Sequence, residues 1–95
     1  MFRHVVSFKL AEDKKDMVVE ARKRLMALDA IPQVKSVQVG IDDLKSERSY
    51  DFVLIMDFDN WDTYKEYDQH ELHLPVREFI HSIVSESVSV DYNFD

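Results

Sequence analysis

Two phenols and two imidazoles lie within ten residues of this sequence, at Tyr64, Tyr67, His70 and His73. A neutral imidazole, with an ordinary pKa of about 6.5, can remove a proton from an acidic C–H group at neutral pH. A phenol can donate a hydrogen bond to the carbonyl oxygen on which negative charge then develops. The segment therefore predicts either cofactor-free proton transfer or the polar rim of a ligand pocket. The residue types alone leave both interpretations open.

The segment His70–Glu71–Leu72–His73 also raises the question of a metal site. In the helical motif of zinc proteases three residues lie between the two histidines, whereas only two lie between His70 and His73. A closed tetrahedral site needs two further ligands, which the sequence does not identify. The chain also has no cysteine, only one glycine and no serine-hydrolase motif, so neither covalent catalysis nor a phosphate-binding loop is indicated. We expect no metal bound through these side chains and no cofactor.

Strands and helices must bring these side chains to one place. Phe2–Leu10 alternates with a period of two, which predicts a strand. One face of this strand carries His4, Val6 and Phe8, so an ionisable ring lies among apolar side chains. Ala11–Asp29 carries apolar residues at helical spacing and predicts a helix, which the following proline ends.

The remaining segments complete a mixed α+β pattern. Asp59 or Asn60 can cap a short helix through Tyr67, and Pro75 suits the first turn of the next helix. The order β-α-β-β-α-β predicts a ferredoxin-like fold, with one antiparallel sheet and helices on one of its faces. The other predicted strands are Val34–Ile41, Tyr50–Phe58 and a closing strand marked by Val88, Val90, Tyr92 and Phe94.

The predicted sheet has apolar residues on both faces. Tyr50–Phe58 is apolar at Val53 and Ile55 as well as at Leu54 and Met56, so its centre must be covered on both sides. Helices cover one face, and a second copy packing sheet to sheet by two-fold symmetry would cover the other. We therefore predict a homodimer, which makes the architecture a dimeric α+β barrel.

Composition limits the remaining function classes. Ninety-five residues predict one domain spanning 1–95. A net charge of −7 disfavours nucleic-acid binding. No apolar run approaches the ~20 residues of a membrane span, so we expect no membrane partner. The opening residues lack a signal-peptide pattern, and the absence of cysteine fits a reducing compartment. These features favour a cytoplasmic protein.

Six short features occur in order along the chain: His4–Leu10, Ile31–Val34 leading to Gly40, Tyr50–Asp51, Phe58 before the short helix, Tyr67 followed by His70 and His73 at three-residue intervals, and Val90–Asp91–Tyr92. Each feature is weak alone, but six in the correct order and spacing are specific. Through them the whole chain resembles the stress-responsive α/β-barrel (Dabb) family.

The resemblance implies a homodimeric barrel and a candidate chemistry. One plant member of the family closes a polyketide ring by aldol condensation, with a histidine as base and a tyrosine that holds the substrate. By motif position these roles fall on His73 and Tyr67, with His4 in the same cavity. Glu71 stands where the family usually has proline, so we expect a different shape for the turn there. Some members bind a divalent ion through main-chain oxygens, which would fall around Asp29–Val34.

The expected function is binding of a small aromatic or polyketide-like molecule, with cyclase- or lyase-type chemistry if His73 acts as a base. The alternatives are a non-enzymatic stress-response dimer and a carrier that binds without turnover. An open cavity that reaches His73 would favour chemistry, and a cavity filled by core side chains would favour the structural role. The residues expected to contact the ligand are His4, Val6, Phe8 and His70.

Overall fold

The computed structural model describes residues 1–95. The elements are β1 (Phe2–Leu10), α1 (Val18–Met26) between two 3₁₀ turns (Glu12–Met17 and Ala27–Ala30), β2 (Ser36–Ile41), β3 (Phe52–Phe58), α2 (Trp61–Asp68), α3 (His73–Ile83) and β4 (Val84–Asn93). The four strands form one antiparallel sheet in the order β2-β3-β1-β4. The helices lie on one face of this sheet, so the predicted ferredoxin-like α+β fold is confirmed.

Strand β1 lies in the centre of the sheet and pairs along its length with β3 and β4. His4 stands opposite Met56 on one side and Asp91 on the other. Because side chains alternate across a strand, these three residues project from the same face of the sheet. That face is the one covered by the helices.

The core fills the layer between the sheet and the helices. Its largest fully buried side chains include Tyr67 of α2 and Phe58 of β3. Phe58 contacts the rings of Tyr64 and Tyr67, with centroid distances of 5.4 and 5.0 Å. The sixteen buried residues are all apolar or aromatic: Phe2, Val6, Phe8, Leu10, Ala21, Leu25, Leu28, Ile31, Val39, Phe52, Leu54, Met56, Phe58, Tyr67, Ile80 and Ile83.

The first helical region differs from the single helix predicted over Ala11–Asp29. Only Val18–Met26 is α-helical, and a 3₁₀ turn lies on each side. The first 3₁₀ turn, Glu12–Met17, buries no residue. Because no buried side chains define a period there, the sequence pattern does not distinguish a 3₁₀-helix, with three residues per turn, from an α-helix, with 3.6.

Helix α2 begins as predicted at an asparagine cap. Asn60 is extended, and its Oδ1 accepts hydrogen bonds from the N–H and the hydroxyl of Thr63, both at 2.9 Å. Such a cap satisfies a backbone donor that the helix leaves without a partner. Pro75 lies in the first turn of α3, as its missing N–H requires.

Loss of this cap should be measurable as lost stability. We expect Asn60→Ala to lower the free energy of unfolding by about 1 kcal/mol, because the Thr63 N–H loses its partner. Asn60→Asp keeps a side-chain oxygen and should stay within about 0.5 kcal/mol of the wild type. Urea unfolding followed by circular dichroism checks both values. Equal losses in the two variants would contradict the capping role.

Strand β4 is longer than its alternating pattern indicated, because it begins at Val84 directly after α3. Its outward side chains, Val88 and Val90, are 51% and 64% exposed. They stand opposite Ser7 and Val5 of β1 on the face that no helix covers. Its inward side chains on the helix side are polar: Ser87, Ser89, Asp91 and Asn93.

Candidate functional site

An open cavity of about 190 Å³ lies between α2, α3 and the inner face of the sheet. Strand β1 contributes the predicted residues His4, Val6 and Phe8 to its wall. Tyr67 and His73 also line it, so five of the six predicted site residues meet in one cavity. The other lining residues are Leu25, Leu54, Tyr64, Asp68, Val76, Arg77, Ile80, His81 and Ser87.

His70, the sixth predicted residue, does not line this cavity. It lies in the turn between α2 and α3, where its Nδ1 accepts a hydrogen bond from the N–H of Leu72 at 3.0 Å. The next backbone contacts, from the N–H groups of His73 and Leu74 to the His70 carbonyl, begin α3. The position of His70 therefore suits it to shape the turn that presents His73.

His73 is held in one tautomer by the backbone. Its Nδ1 lies 2.9 Å from the carbonyl oxygen of Asp68. Since a carbonyl can only accept, Nδ1 carries the proton and Nε2 keeps its lone pair. Burial is the main cause that lowers the pKa of His73 below its ordinary value, and the nearby positive charge of Arg77 also lowers it. The ring is therefore neutral at pH 7 and able to accept a proton.

The titration of His73 gives a prediction for pH dependence. By NMR, we expect a His73 midpoint below the ~6.5 of an unfolded chain. Between these two values the unfolded chain binds more protons than the folded one, so folding stability falls as the pH drops through this window. The stabilising contribution is complete above about 6.5. A midpoint at or above that of the urea-unfolded protein would contradict the buried, neutral ring.

The phenols of Tyr64 and Tyr67 also line the cavity. The Tyr67 ring is 1% exposed and lies 4.4 Å from the His73 ring, centroid to centroid. Burial raises the pKa of Tyr67 well above its usual range, and it raises the pKa of Tyr64 to about 12. Both hydroxyls are therefore protonated at neutral pH, and each can donate a hydrogen bond.

The family model of the stress responsive A/B barrel domain matches residues 2–94. The chain belongs to this Dabb family. No curated protein gives a significant match. None of the helices is both long and apolar enough to cross a membrane.

Solved structures of similar proteins agree with the family assignment. A dimeric protein of ferredoxin-like fold from Bacteroides fragilis is 27% identical, with a TM-score of 0.86 over 98% of this chain and 95% of that chain. A dimeric ferredoxin-like protein from Thermobifida fusca is 26% identical, with a TM-score of 0.87 over 98% and 90%. A Dabb family protein from Mesorhizobium loti is 26% identical, with a TM-score of 0.74 over 99% and 96%.

Several residues that line the cavity of this Dabb domain, or contact its lining, were not anticipated from the sequence. Asp91 of β4 contacts the Nδ1 of His4 through its Oδ1, which leaves the His4 Nε2 for other partners. Asp91 is paired with His4 only because β4 adds next to β1 in this register. Helical spacing is the one signal that could have revealed Arg77 and His81, which follow His73 at intervals of four residues.

The divalent ion that the family implies would lie outside the cavity. None of Asp29–Val34 lines it, and no three His, Cys, Asp or Glu side chains come together as metal ligands. The carbonyls of Leu28 and Ile31 accept hydrogen bonds from the N–H groups of Ile31 and Val34. Gln33 Oε1 is buried without a hydrogen-bond partner, and amide and carbonyl oxygens are the ligands that hard cations take. The segment thus fits such an ion in a structural role.

Proposed function

We propose that this Dabb domain is a homodimer whose subunits each bind a small, partly aromatic molecule, and that His73 removes a proton from a carbon atom of that molecule. The observation that carries the proposal is the His73 ring, which is neutral and fixed by the Asp68 carbonyl in an open cavity. The reaction class is a cofactor-free lyase, cyclase or isomerase.

The size of the cavity limits the ligand. Sites for drug-sized molecules span about 300–1,000 Å³, whereas this cavity has about 190 Å³. Its apolar lining includes Val6, Phe8 and Ile80, and its polar lining includes Tyr67 and His73. A molecule with one ring or a short folded chain suits this space and this mixture of apolar and polar groups.

The proposed step uses two groups of the cavity. His73 Nε2 takes a proton from a carbon next to a carbonyl, and the hydroxyl of Tyr67 donates to the carbonyl oxygen as it becomes an enolate. The Asp68 carbonyl accepts a hydrogen bond from the Nδ1–H of the resulting imidazolium. The enolate carbon can then attack a second carbonyl in the same molecule, and the His73 proton returns to the new alkoxide. Any ion bound near Gln33 would support the turn before β2.

A second copy of the chain is the proposed cover for the free sheet face. An apolar strip crosses β3, β1 and β4 on this face. Ile55, Val5 and Val90 form one row of the strip, and Val53 and Val88 flank Ser7 in the next row. A strip of this kind on an otherwise acidic protein is typical of an interface. The Bacteroides fragilis and Thermobifida fusca relatives are dimeric, which supports the same assembly here.

A chromogenic probe can test His73 as a base without the natural substrate. The compound 5-nitrobenzisoxazole loses its carbon-bound proton to a base, its N–O bond breaks, and a coloured cyanophenolate forms. We expect His73→Gln to reduce the protein-dependent rate by about a hundredfold, since general-base catalysis is worth roughly 10²–10⁴. The wild-type rate should rise with pH to a plateau, with a midpoint below about 6.5, because only the neutral ring accepts the proton.

His70→Asn is the matched control, because His70 lies outside the cavity and the asparagine Oδ1 can still accept the hydrogen bond from the Leu72 N–H that shapes the turn. It should keep most of the wild-type rate. A His73→Gln variant that folds and keeps the full rate would exclude His73 as the base. Native mass spectrometry adds an independent test: a dimer that carries a small adduct supports ligand binding. A dimer that shows neither adduct nor probe turnover would favour the non-enzymatic role.

A further inference from the structure

Helix α3 turns three nitrogen-bearing side chains toward the cavity. His73, Arg77 and His81 lie at successive intervals of four residues, so they share one face of the helix. Val76 and Ile80 lie beside them and form the apolar part of the same wall. A cavity lined by these three nitrogen-bearing side chains is suited to a ligand with an acidic group.

Arg77 differs from the other arginines that have carboxylate neighbours. Arg3 donates to Asp57 at 2.7 and 2.9 Å, and Arg24 donates to Glu20 at 2.8 Å. The Nη1 of Arg77 lies 3.6 Å from the nearest oxygen of Asp68, beyond normal hydrogen-bond distance. Its guanidinium therefore keeps donors for another partner.

Charge considerations also favour a specific anion contact. A net charge of −7 repels anions from the protein as a whole, so an anionic ligand needs a local cation. Asp68 and Asp91 are the acidic groups near the cavity, and Asp91 is already in contact with His4. Asp68 is the competitor for Arg77, but both side chains of this pair are more than 40% exposed. Exposed pairs of this kind are weak.

We propose that Arg77, assisted by His81, binds a carboxylate of the ligand and so restricts the substrate class to small aromatic or cyclic acids. This inference rests on the proposed function, because it assigns the ligand to the same cavity. An α-helix rises about 1.5 Å per residue, so Arg77 lies roughly 6 Å from His73 along the helix axis. A carboxylate on Arg77 thus leaves room for one ring between the acid and the carbon atom near His73.

Calorimetry with a matched pair of probes tests the inference. The probes are 4-ethylbenzoate and 4-ethylbenzamide, which have the same shape and differ in charge. We expect the wild type to bind the benzoate about tenfold or more tightly than the amide, as is typical of a charge-assisted contact. Arg77→Gln should remove this difference and leave amide binding unchanged. Arg77→Lys should restore part of it, and Asp68→Asn should tighten benzoate binding by removing the competing carboxylate.

Arg22→Gln is the control for net charge, because Arg22 is exposed on α1 and lies outside the cavity. It should retain the preference for benzoate. Equal affinity for the two probes, or a preference that survives Arg77→Gln, overturns the inference and leaves the proposed cavity standing. Failure of both probes to bind at about 10 mM, far weaker than the micromolar range, overturns the inference and the proposed ligand-binding function together.

Discussion

A Val90→Glu variant should be monomeric. Val90 is 64% exposed in the single chain and stands opposite Val5, at the end of the apolar strip on the edge strand β4. In the proposed dimer this strip meets its own copy, so two-fold symmetry places the new carboxylate in the interface twice. A charge buried there without a partner is strongly unfavourable. Light scattering after gel filtration should give the mass of one chain, 11.3 kDa, where the wild type gives twice that mass.

Val19→Glu is the matched control for this experiment. Val19 is 71% exposed on α1, away from the apolar strip, and the substitution changes the same residue type by the same charge. This variant should remain dimeric. A Val90→Glu protein with the wild-type mass would contradict the proposed interface. Dissociation of both variants would show that added negative charge alone separates the subunits.

A Phe58→Ala variant should lose much of the stability of the domain. Phe58 is fully buried and packs against Tyr64 and Tyr67. Truncation of a buried phenylalanine costs about 3–5 kcal/mol, out of a total that for a domain of this size is roughly 5–10 kcal/mol. With a urea m-value of about 1–3 kcal/mol/M, the midpoint should fall by roughly 2 M. Equilibrium unfolding at matched protein concentration measures the change.

The same variant should weaken the cavity. Tyr67 lies between Phe58 and His73, with ring centroids 5.0 and 4.4 Å away. Loss of the Phe58 ring frees Tyr67 to move away from His73, so probe turnover should fall together with stability. Phe58→Leu leaves a smaller void and should lose less of both. A Phe58→Ala protein as stable as the Leu variant would show that the neighbouring rings collapse into the space.

Most of the fold could be predicted because local signals and the fold agree. Alternation in Phe2–Leu10, the Asn60 cap and the position of Pro75 each correspond to an observed element. The start of β4 was not predicted, because Val84 follows α3 without a turn residue. Ser85, Glu86 and Ser87 are polar in succession, so the apolar alternation from which a strand is recognised begins only at Val88.

The site was predictable only to the extent that side-chain type and motif position determine it. His4 and His73 line one cavity. Their partners could not be predicted, because they depend on long-range pairing and on backbone shape. The Asp91 contact follows from the β1–β4 register. The tautomer of His73 follows from its contact with the backbone carbonyl of Asp68. Because every residue has such a carbonyl, the sequence does not show which one His73 contacts.

The central position of β1 determines the order in which the fold can assemble. Its partners come late in the chain: Arg3 and Asp57 are 54 residues apart, and His4 and Asp91 are 87 apart. Each such pairing closes a large loop. The chain loses conformational entropy before the stabilising contacts form, which slows folding. During synthesis β1 can complete its pairing only after β3 and β4 have left the ribosome. The apolar side chains of β1 therefore remain open to chaperones and to other nascent chains until both partner strands have emerged.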